Sequence, residues 1–268
     1  MILVDGQPGE NVSARDRGLA YGDGVFRTLR AMRGQPVWWR DQAAKLAADC
    51  AALGLACPDA SVLHDEVCRV AAGTDCVVKI IITRGQGSRG YALGAVRPVR
   101  MVMAAALPDY AGDHAPLEVR ARWCALRLGQ QPRLAGIKHL NRLENVLARA
   151  EWDDPAIREG LLCDQAGHVI SGVMSNLFWV KADVLHTPDL SDCGVAGVAR
   201  MRLLRAAVRH GWTTRIERHP AAAILDADEV MICNSLIGVR RIARIDATDL
   251  PQAGWRIRLE KALYEDLD

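Results

Sequence analysis

The N-terminal part of the chain alternates short aliphatic runs with amphipathic segments. Runs rich in Val, Ile and Leu between turn residues predict strands, whereas apolar residues at three- and four-residue intervals predict helices. The turn residues Arg33-Gly34-Gln35-Pro36 predict a hairpin between two of these strands. The predicted strands are 2–4, 25–32, 37–39, 76–84 and 99–106, and the predicted helices are 40–54 and 61–73.

The remainder of the chain mixes strands and helices in a less regular order. It lacks strict strand–helix–strand alternation, so the pattern predicts an α+β fold and not a doubly wound parallel sheet. We expect a smaller α/β lobe over 1–107, a linker over 108–115 and a larger α/β lobe over 116–268. The predicted strands are 117–125, 160–164, 169–171, 176–180, 184–186 and 229–234, and the predicted helices are 141–152, 198–210 and 256–267.

Composition and charge narrow the class of protein. The formal net charge is +2 and the arginines are spread along the chain without a basic stripe, so we expect no nucleic-acid partner. No apolar run reaches the roughly 18 residues that span a bilayer, so we expect no membrane partner. The N-terminal segment lacks the charged and apolar regions of a secretory signal. These features predict a cytoplasmic protein.

Eight cysteines are scattered through the chain without a Cys-x-x-Cys motif. In a reducing compartment such residues are expected to be buried free thiols. No group of His or Cys residues has the sequence spacing of a metal site, so no metal is predicted.

Lys138 is the candidate nucleophile among only five lysines. It lies in Leu134-Ala135-Gly136-Ile137-Lys138-His139-Leu140-Asn141, where apolar and small neighbours favour a desolvated amine. Desolvation lowers the pKa of a lysine, and a neutral amine forms Schiff bases with carbonyl compounds. Considered alone, a lysine that extends to water from a strand end is the simpler interpretation. The other four lysines are interpreted as ordinary.

Three loop segments are candidates for ligand binding. Gly85-Gln86-Gly87-Ser88-Arg89-Gly90 matches a dinucleotide-binding pattern, but no helix is predicted after it, so we interpret it as a loop that presents Arg89 to a carboxylate. Val195-Ala196-Gly197 leads into a predicted helix, whose N–H groups suit a phosphate. Cys233-Asn234-Ser235 ends a predicted strand and offers further donors. Each feature alone is also common in ordinary turns.

Taken in order, these segments resemble the fold type IV enzymes that depend on pyridoxal 5′-phosphate (PLP). This family includes branched-chain and D-amino acid aminotransferases and 4-amino-4-deoxychorismate lyases. Within it, segments 84–91 and 134–144 are most similar to those of the lyases. The resemblance covers nearly the whole chain and is carried by the stretch 16–26, the Lys138 segment, Asn176-Leu177-Phe178, 197–200 and 233–235.

The resemblance implies a two-lobed homodimer, similar to D-amino acid aminotransferase, with PLP between the lobes and bound to Lys138 as a Schiff base. It also implies that Thr28 lies beside the PLP face and assists proton transfer, and that Arg89 binds a substrate carboxylate. The implied cofactor-binding residues are Lys138, Lys45, Ser171, Gly197, Val198, Ala199, Asn234 and Ser235.

Two positions depart from the family pattern. Lys45 stands where an arginine usually contacts the phosphate, and it keeps the charge without the guanidinium fork. Ser171, five residues before Asn176, stands where a glutamate usually holds a proton on the pyridine nitrogen. A serine hydroxyl donates a hydrogen bond to an unprotonated nitrogen but supplies no countercharge. The ring is therefore expected to be a weaker electron sink.

The activity implied by the resemblance is a PLP-dependent lyase that converts 4-amino-4-deoxychorismate to 4-aminobenzoate and pyruvate in folate biosynthesis. An aminotransferase for branched-chain or D-amino acids on the same scaffold is the alternative. A PLP-binding protein without catalytic activity is a third interpretation. The presence of Lys138, Thr28 and Arg89 together argues against it, because cofactor storage needs no carboxylate clamp.

Overall fold

The computed structural model describes residues 1–87, 89–94, 96–110 and 116–265. The chain forms two compact units: Met1–Asp109 with Ile137–Asn141, and Tyr110–Gly136 with the rest of the described chain from Arg142. This division falls inside the predicted linker, although residues 111–115 of that linker lie outside the described residues. The Lys138 segment, which we expected in the larger lobe, belongs instead to the first unit.

The first unit is an antiparallel six-stranded sheet with helices packed on it. Its elements are β1 (Ile2–Val4), β2 (Gln7–Pro8), α1 (Arg17–Tyr21), β3 (Gly24–Met32), β4 (Gln35–Pro36), α2 (Trp39–Ala52), α3 (Ala60–Ala71), β5 (Cys76–Thr83) and β6 (Val99–Ala105). The strand order is β2-β1-β6-β5-β3-β4. Leu29 and Ile80 of the central strands share one core with Leu46 of α2 and Leu63 of α3. Strand alternation sends every second side chain to this face.

The predicted hairpin is present, but its second strand begins earlier than expected. Strand β3 pairs with Gln35 and Pro36, so the turn consists only of Arg33 and Gly34. Their φ angles are 49° and 79°, the positive values that a two-residue hairpin turn requires. The strand expected over 37–39 is wrong, because Trp38 has a φ of 56° and lies at the start of α2.

Residues 137–141 belong to the first unit because their backbone pairs with the start of β3. The N–H of Phe26 donates to the carbonyl of Lys138 at 2.9 Å, and the N–H of Leu140 donates to Gly24 at 3.0 Å. The side chain of Ile137 is buried in the core of this unit. Hydrogen bonds to strand β3 therefore fix the backbone of the Lys138 segment.

The second unit is a mixed nine-stranded sheet with helices. Its elements are β7 (Glu118–Leu128), α4 (Leu143–Arg149), β8 (Ile157–Asp164), β9 (Val169–Gly172), β10 (Asn176–Lys181), β11 (Val184–Pro188), α5 (Val198–Arg209), β12 (Thr214–Glu217), α6 (Ala221–Leu225), β13 (Glu229–Asn234), β14 (Gly238–Ile245), β15 (Thr248–Asp249) and α7 (Trp255–Leu263). The strand order is β12-β11-β10-β13-β14-β7-β8-β9, with β15 paired to β14. Parallel pairs occur among antiparallel ones, which agrees with the predicted α+β class.

Strand β14 lies in the middle of this sheet, yet the sequence pattern does not predict it. Its residues include Arg240 and Arg241, which interrupt the aliphatic pattern, and both are buried. The Arg241 guanidinium donates to Glu118 at 3.0 Å and to the carbonyl of Leu250 at 3.1 Å. Hydrogen-bond partners of this kind offset the free-energy cost of burying an arginine. A hydropathy pattern does not reveal them.

The eight cysteines are all free, and six of them are buried. Cys57 and Cys68 are partly exposed, so the expectation of buried thiols holds for most of the set. Among the residues that the structure describes, no helix is both long and apolar enough to cross a membrane.

Candidate active site

Lys138 lies against the aromatic ring of Phe26 in the first unit. Its Nζ is 4.6 Å from the ring centroid, within the range of a cation–π contact. The N–H of Lys138 donates to the carboxylate of Asp49 at 3.2 Å, and its carbonyl accepts from Phe26. Both backbone groups are bound to the protein, and this fixes the point from which the side chain extends.

Asp49 on α2 is the centre of a buried cluster of charged groups. Its carboxylate accepts hydrogen bonds from the guanidinium of Arg27 and the ammonium of Lys45, and it also accepts the N–H of Lys138. Asp49 and Arg27 are almost fully buried. One carboxylate is thus shared by two cationic side chains, with Lys138 beside them, so the cluster carries an excess of positive charge.

Burial lowers the pKa values of both bases, and the neighbouring cations also lower that of Lys45. Burial, together with the charges of Arg27 and Lys138, lowers the pKa of Lys45 to about 7, although its ammonium contacts Asp49. Burial lowers the pKa of Arg27 to about 10. Cations that are costly to bury near one another favour an anionic ligand, because the anion relieves their mutual repulsion.

Strand alternation places Thr28 on the same face of β3 as Phe26. Lys79 lies opposite Thr28 on β5, and its Nζ is 5.0 Å from the centroid of the Phe26 ring. Two lysines, Lys79 and Lys138, therefore contact one aromatic ring. The sequence alone does not distinguish Lys79 from an ordinary lysine, because only the strand register brings it opposite Thr28.

An arginine–aspartate cluster binds the glycine-rich loop that carries Arg89 to the rest of the first unit. Asp23 accepts hydrogen bonds from Arg17 at 2.9 Å and Arg84 at 2.8 Å, and Arg17 also donates to the carbonyl of Gly90 at 2.9 Å. Burial opposes ionisation of Asp23, yet the bonds from the two arginines lower its pKa. Arg89 is exposed, and Ser88 beside it lies outside the described residues. Its role as a carboxylate clamp stays a prediction.

In the second unit, Asn176 and Gly197 shape the N-terminus of α5. Asn176 Oδ1 accepts the N–H of Gly197 at 3.0 Å, and its Nδ2 donates to the carbonyl of Val195 at 2.8 Å. A Cβ at position 197 would collide with Oδ1, so a glycine is required there. Val198 and Ala199 follow in the first turn of α5, where the N–H groups of a helix are available to an anion.

Asn234 holds the turn between β13 and β14. Its Oδ1 accepts the N–H groups of Leu236 at 2.8 Å and Ile237 at 2.9 Å, and its Nδ2 donates to the carbonyl of Met174 at 3.1 Å. Backbone groups therefore occupy this amide, and the assignment of Asn234 to cofactor binding stays a prediction. The same bonds hold the turn that contains Ser235.

Ser171 lies on β9 beside a turn that a buried glutamate holds in place. Glu159 on β8 accepts the N–H of Val173 at 2.9 Å and the hydroxyl of Ser175 at 2.7 Å. Burial raises the pKa of Glu159 despite these bonds. Ser171 is itself buried, and Glu159 leaves no space for a side chain at Gly172. Sequence reasoning overlooks Glu159, whose only signal is a charged residue at the start of an aliphatic strand.

Comparisons with known proteins agree with the resemblance found in the sequence. Residues 24–245 match the model of the family described as Amino-transferase class IV. The chain is 36% identical to an aminodeoxychorismate lyase of Vibrio harveyi over 251 residues, which is 93% of each protein. It is 25% identical to a D-alanine aminotransferase of Bacillus licheniformis over 245 residues, which is 88% of this chain and 83% of the relative.

A solved structure is similar along the whole chain. The crystal structure of 4-amino-4-deoxychorismate lyase from Pseudomonas aeruginosa matches with a TM-score of 0.93 and 42% sequence identity, and the match covers 100% of both chains. These matches confirm the family and the fold that the sequence motifs predict.

We expect Asp49→Asn to lower the free energy of unfolding by about 3 kcal/mol, because it removes the carboxylate that compensates buried Arg27 and Lys45. Urea unfolding of the purified protein measures this change. Asp75→Asn is the matched control, since Asp75 is half exposed and accepts the N–H of Arg33 at the surface. The control should lose less than about 1 kcal/mol. Equal losses in the two variants would contradict the central position of Asp49.

Proposed function

We propose that this chain, which belongs to the amino-transferase class IV family, is a PLP-dependent lyase that converts 4-amino-4-deoxychorismate to 4-aminobenzoate and pyruvate. The observation that carries the proposal is the setting of Lys138, an amine beside an aromatic ring and next to buried cations that share one carboxylate. The relatives in Vibrio harveyi and Pseudomonas aeruginosa carry the name of this activity. The product assigns the reaction to folate biosynthesis.

The residues of the first unit suit PLP in two respects. The cofactor has an aldehyde, which requires a lysine amine, and a phosphate, which requires positive charge. Lys138 is assigned to the aldehyde. The excess positive charge that Lys45 and Arg27 share around Asp49 favours an anion, and we assign Lys45 to the phosphate in the place of the usual arginine.

The residues of the second unit supply hydrogen-bond donors of the kind that a phosphate accepts. We assign the N–H groups of Val198 and Ala199 and the hydroxyl of Ser235 to the phosphate. Gly197 and Asn234 act by holding these donors in position, because their own polar groups are bound within the protein.

Lys138 is the proposed base of the reaction. PLP supplies an electron-withdrawing ring joined to the substrate nitrogen, which acidifies the neighbouring C–H bond. With the substrate in the site, the amine of Lys138 would remove the proton from C4 of the substrate. The C–O bond to the enolpyruvyl group then breaks and the ring becomes aromatic. Lys138, with Thr28 assisting, returns a proton to the leaving group, which becomes pyruvate.

Cationic side chains of the first unit are proposed to bind the carboxylates of the substrate. Arg89, on the glycine-rich loop, is assigned to one of them because a guanidinium binds a carboxylate in a bidentate manner. Lys79 is a second cation on the ring of Phe26, the same ring that Lys138 contacts. We therefore add Lys79 to the candidate substrate-binding residues.

Ser171 is proposed to favour elimination over transamination. Its hydroxyl donates a hydrogen bond to the ring nitrogen but provides no countercharge for a proton there. Transamination needs a ring that stabilises negative charge for a long time, whereas formation of an aromatic product provides driving force that the ring need not supply. An aminotransferase for branched-chain or D-amino acids, the alternative on this scaffold, is disfavoured as the main activity for the same reason.

The proposed assembly is a homodimer in the cytoplasm. Leu143, Val146 and Leu147 lie on one face of α4, with exposed fractions of 74%, 59% and 60%. An exposed apolar patch of this kind is typical of a protein–protein interface. The free thiols suit a reducing compartment.

The lyase assignment predicts that the PLP-loaded protein releases 4-aminobenzoate from 4-amino-4-deoxychorismate, which is measured by the fluorescence of the product. Lys138→Ala should reduce the rate by at least about 1,000-fold, because both the amine that binds PLP and the base are lost. Lys181→Ala is the control, since Lys181 pairs with Asp226 at the surface, and it should keep its activity. Folded, PLP-loaded protein that forms no product would refute the assignment.

The role of Ser171 predicts that Ser171→Glu raises transamination relative to lyase turnover by about tenfold, because a carboxylate holds a proton on the ring nitrogen. Transamination is measured with D-alanine or L-leucine as amino donor and 2-oxoglutarate as acceptor. Ser171→Gln is the control of equal size without charge, and its ratio should stay near that of the wild type. An unchanged ratio in Ser171→Glu would show that the serine does not select the reaction.

The dimer proposal predicts that Val146→Glu and Leu147→Glu, combined, shift the protein from dimer to monomer. A charge placed in an apolar interface is costly to bury. Size-exclusion chromatography with light scattering measures the mass. Val208→Glu on α5 is the control, because Val208 is an isolated apolar residue with 82% exposure. A monomeric wild type, or a dimer that persists in the double variant, would exclude α4 as the interface.

A further inference from the structure

Two histidines and a glutamate meet at the edge of the sheet in the second unit, and none of them is assigned to the lyase reaction. His186 lies on β11, Glu217 ends β12, and His219 follows two residues later. Strands β11 and β12 pair in parallel, with His186 opposite Arg215, so alternation places Glu217 on the same face as His186. One possible ligand atom from each of the three side chains lies within 4.8 Å of the other two.

Two ring nitrogens in this cluster have no hydrogen-bond partner among the described residues. They are Nδ1 of His186 and Nε2 of His219, and both atoms are buried. Buried polar atoms in proteins are normally paired, so two unpaired nitrogens close together require an explanation. The Oε2 atom of Glu217 is 3.3 Å from Nε2 of His219, and this brings a carboxylate next to the unpaired nitrogens.

The imidazole rings are held in place by their surroundings. His186 stacks on the indole of Trp179, with ring centroids 5.3 Å apart and planes 11° apart. His219 meets the same indole edge-on at 5.1 Å, and its carbonyl accepts the N–H of Val169 at 2.9 Å. Ligands that are positioned before a metal arrives lose less conformational entropy when it binds.

The charges around the cluster are compatible with a cation. Glu217 contributes a negative charge, and its carboxylate accepts a hydrogen bond from Arg215 at 3.5 Å. An exposed pair of this kind contributes little free energy, so Glu217 can exchange Arg215 for a metal at small cost.

We propose that His186, Glu217 and His219 bind one divalent transition-metal ion of the zinc type, with a fourth position open to water. Two imidazoles and one carboxylate form a ligand set that zinc accepts, whereas magnesium and calcium prefer oxygen ligands alone. The ion joins the edge strand β12 to β11 and to the segment that follows β12. The sequence predicts no such site, because His186 is distant in the chain from Glu217 and His219, and β12, which brings them together, is not predicted.

The test uses the full-length PLP-loaded protein without an affinity tag, dialysed against EDTA and titrated with Co²⁺. We expect one Co²⁺ per chain, with the visible bands of tetrahedral cobalt and without the thiolate charge-transfer band that cysteine ligands produce. In a separate measurement, excess Zn²⁺ should raise the midpoint of thermal unfolding by about 5 °C, because the ion binds only the folded state.

Variants separate this site from other metal-binding groups. His219→Gln and Glu217→Gln should each weaken Co²⁺ binding by at least about tenfold. Glu217 is exposed, so its variant is expected to fold normally. His210→Gln is the matched control, since His210 also pairs with a carboxylate, at 2.7 Å from Glu265, and it should bind as the wild type does. Absence of Co²⁺ binding, a thiolate band, or equal binding in Glu217→Gln and the wild type would overturn the proposal.

Discussion

The carboxylate of Asp49 is the group on which the first unit of this protein depends. It accepts bonds from Arg27 on β3 and Lys45 on α2 and from the backbone of Lys138. A sheet strand, a helix and the lysine segment are thus held together at one buried anion. Since that anion is shared among several bases, positive charge remains for a phosphate group. The same carboxylate that fixes Lys138 therefore also holds the cations that are proposed to bind the phosphate.

Regular aliphatic strands could be predicted from the sequence, and strands with buried charge could not. Strands β5 and β6 are predominantly aliphatic, each with one charged residue, and their bounds are close to those predicted. Strand β14 contains buried arginines whose partners, such as Glu118, come from distant parts of the chain. A hydropathy pattern therefore fails to predict β14, because the partners that offset the cost of burying its arginines come from tertiary contacts.

The residues of the candidate site divide in the same way, because buried charged residues with distant partners could not be predicted. Lys138 could be found from its small and apolar neighbours and from its resemblance to a known family. Asp49 and Arg27 could not, because a charged residue on a helix or a strand resembles a surface residue until its partner is known. Lys79 was missed for the same reason, since only the register of β3 and β5 places it opposite Thr28. Asn234 was identified, but its amide holds the turn that carries Ser235.

Ser171 is the residue that we propose to select the reaction. The turn beside it is held by Glu159, a fully buried carboxylate whose hydrogen bonds go to Val173 and Ser175. The hydrogen-bonding capacity of this carboxylate is thus used by the chain itself, and the side chain at position 171 is a hydroxyl. A lyase whose product becomes aromatic tolerates this arrangement better than an aminotransferase does.

The identity of the lysine that binds PLP tests the account most directly. Borohydride reduction of the PLP-loaded protein, followed by proteolysis and mass spectrometry, locates the modified residue. The account predicts a single phosphopyridoxyl group on Lys138. Modification of Lys45 or Lys79 in its place would contradict the central claim, because those two residues are assigned to bind anions and not the cofactor aldehyde.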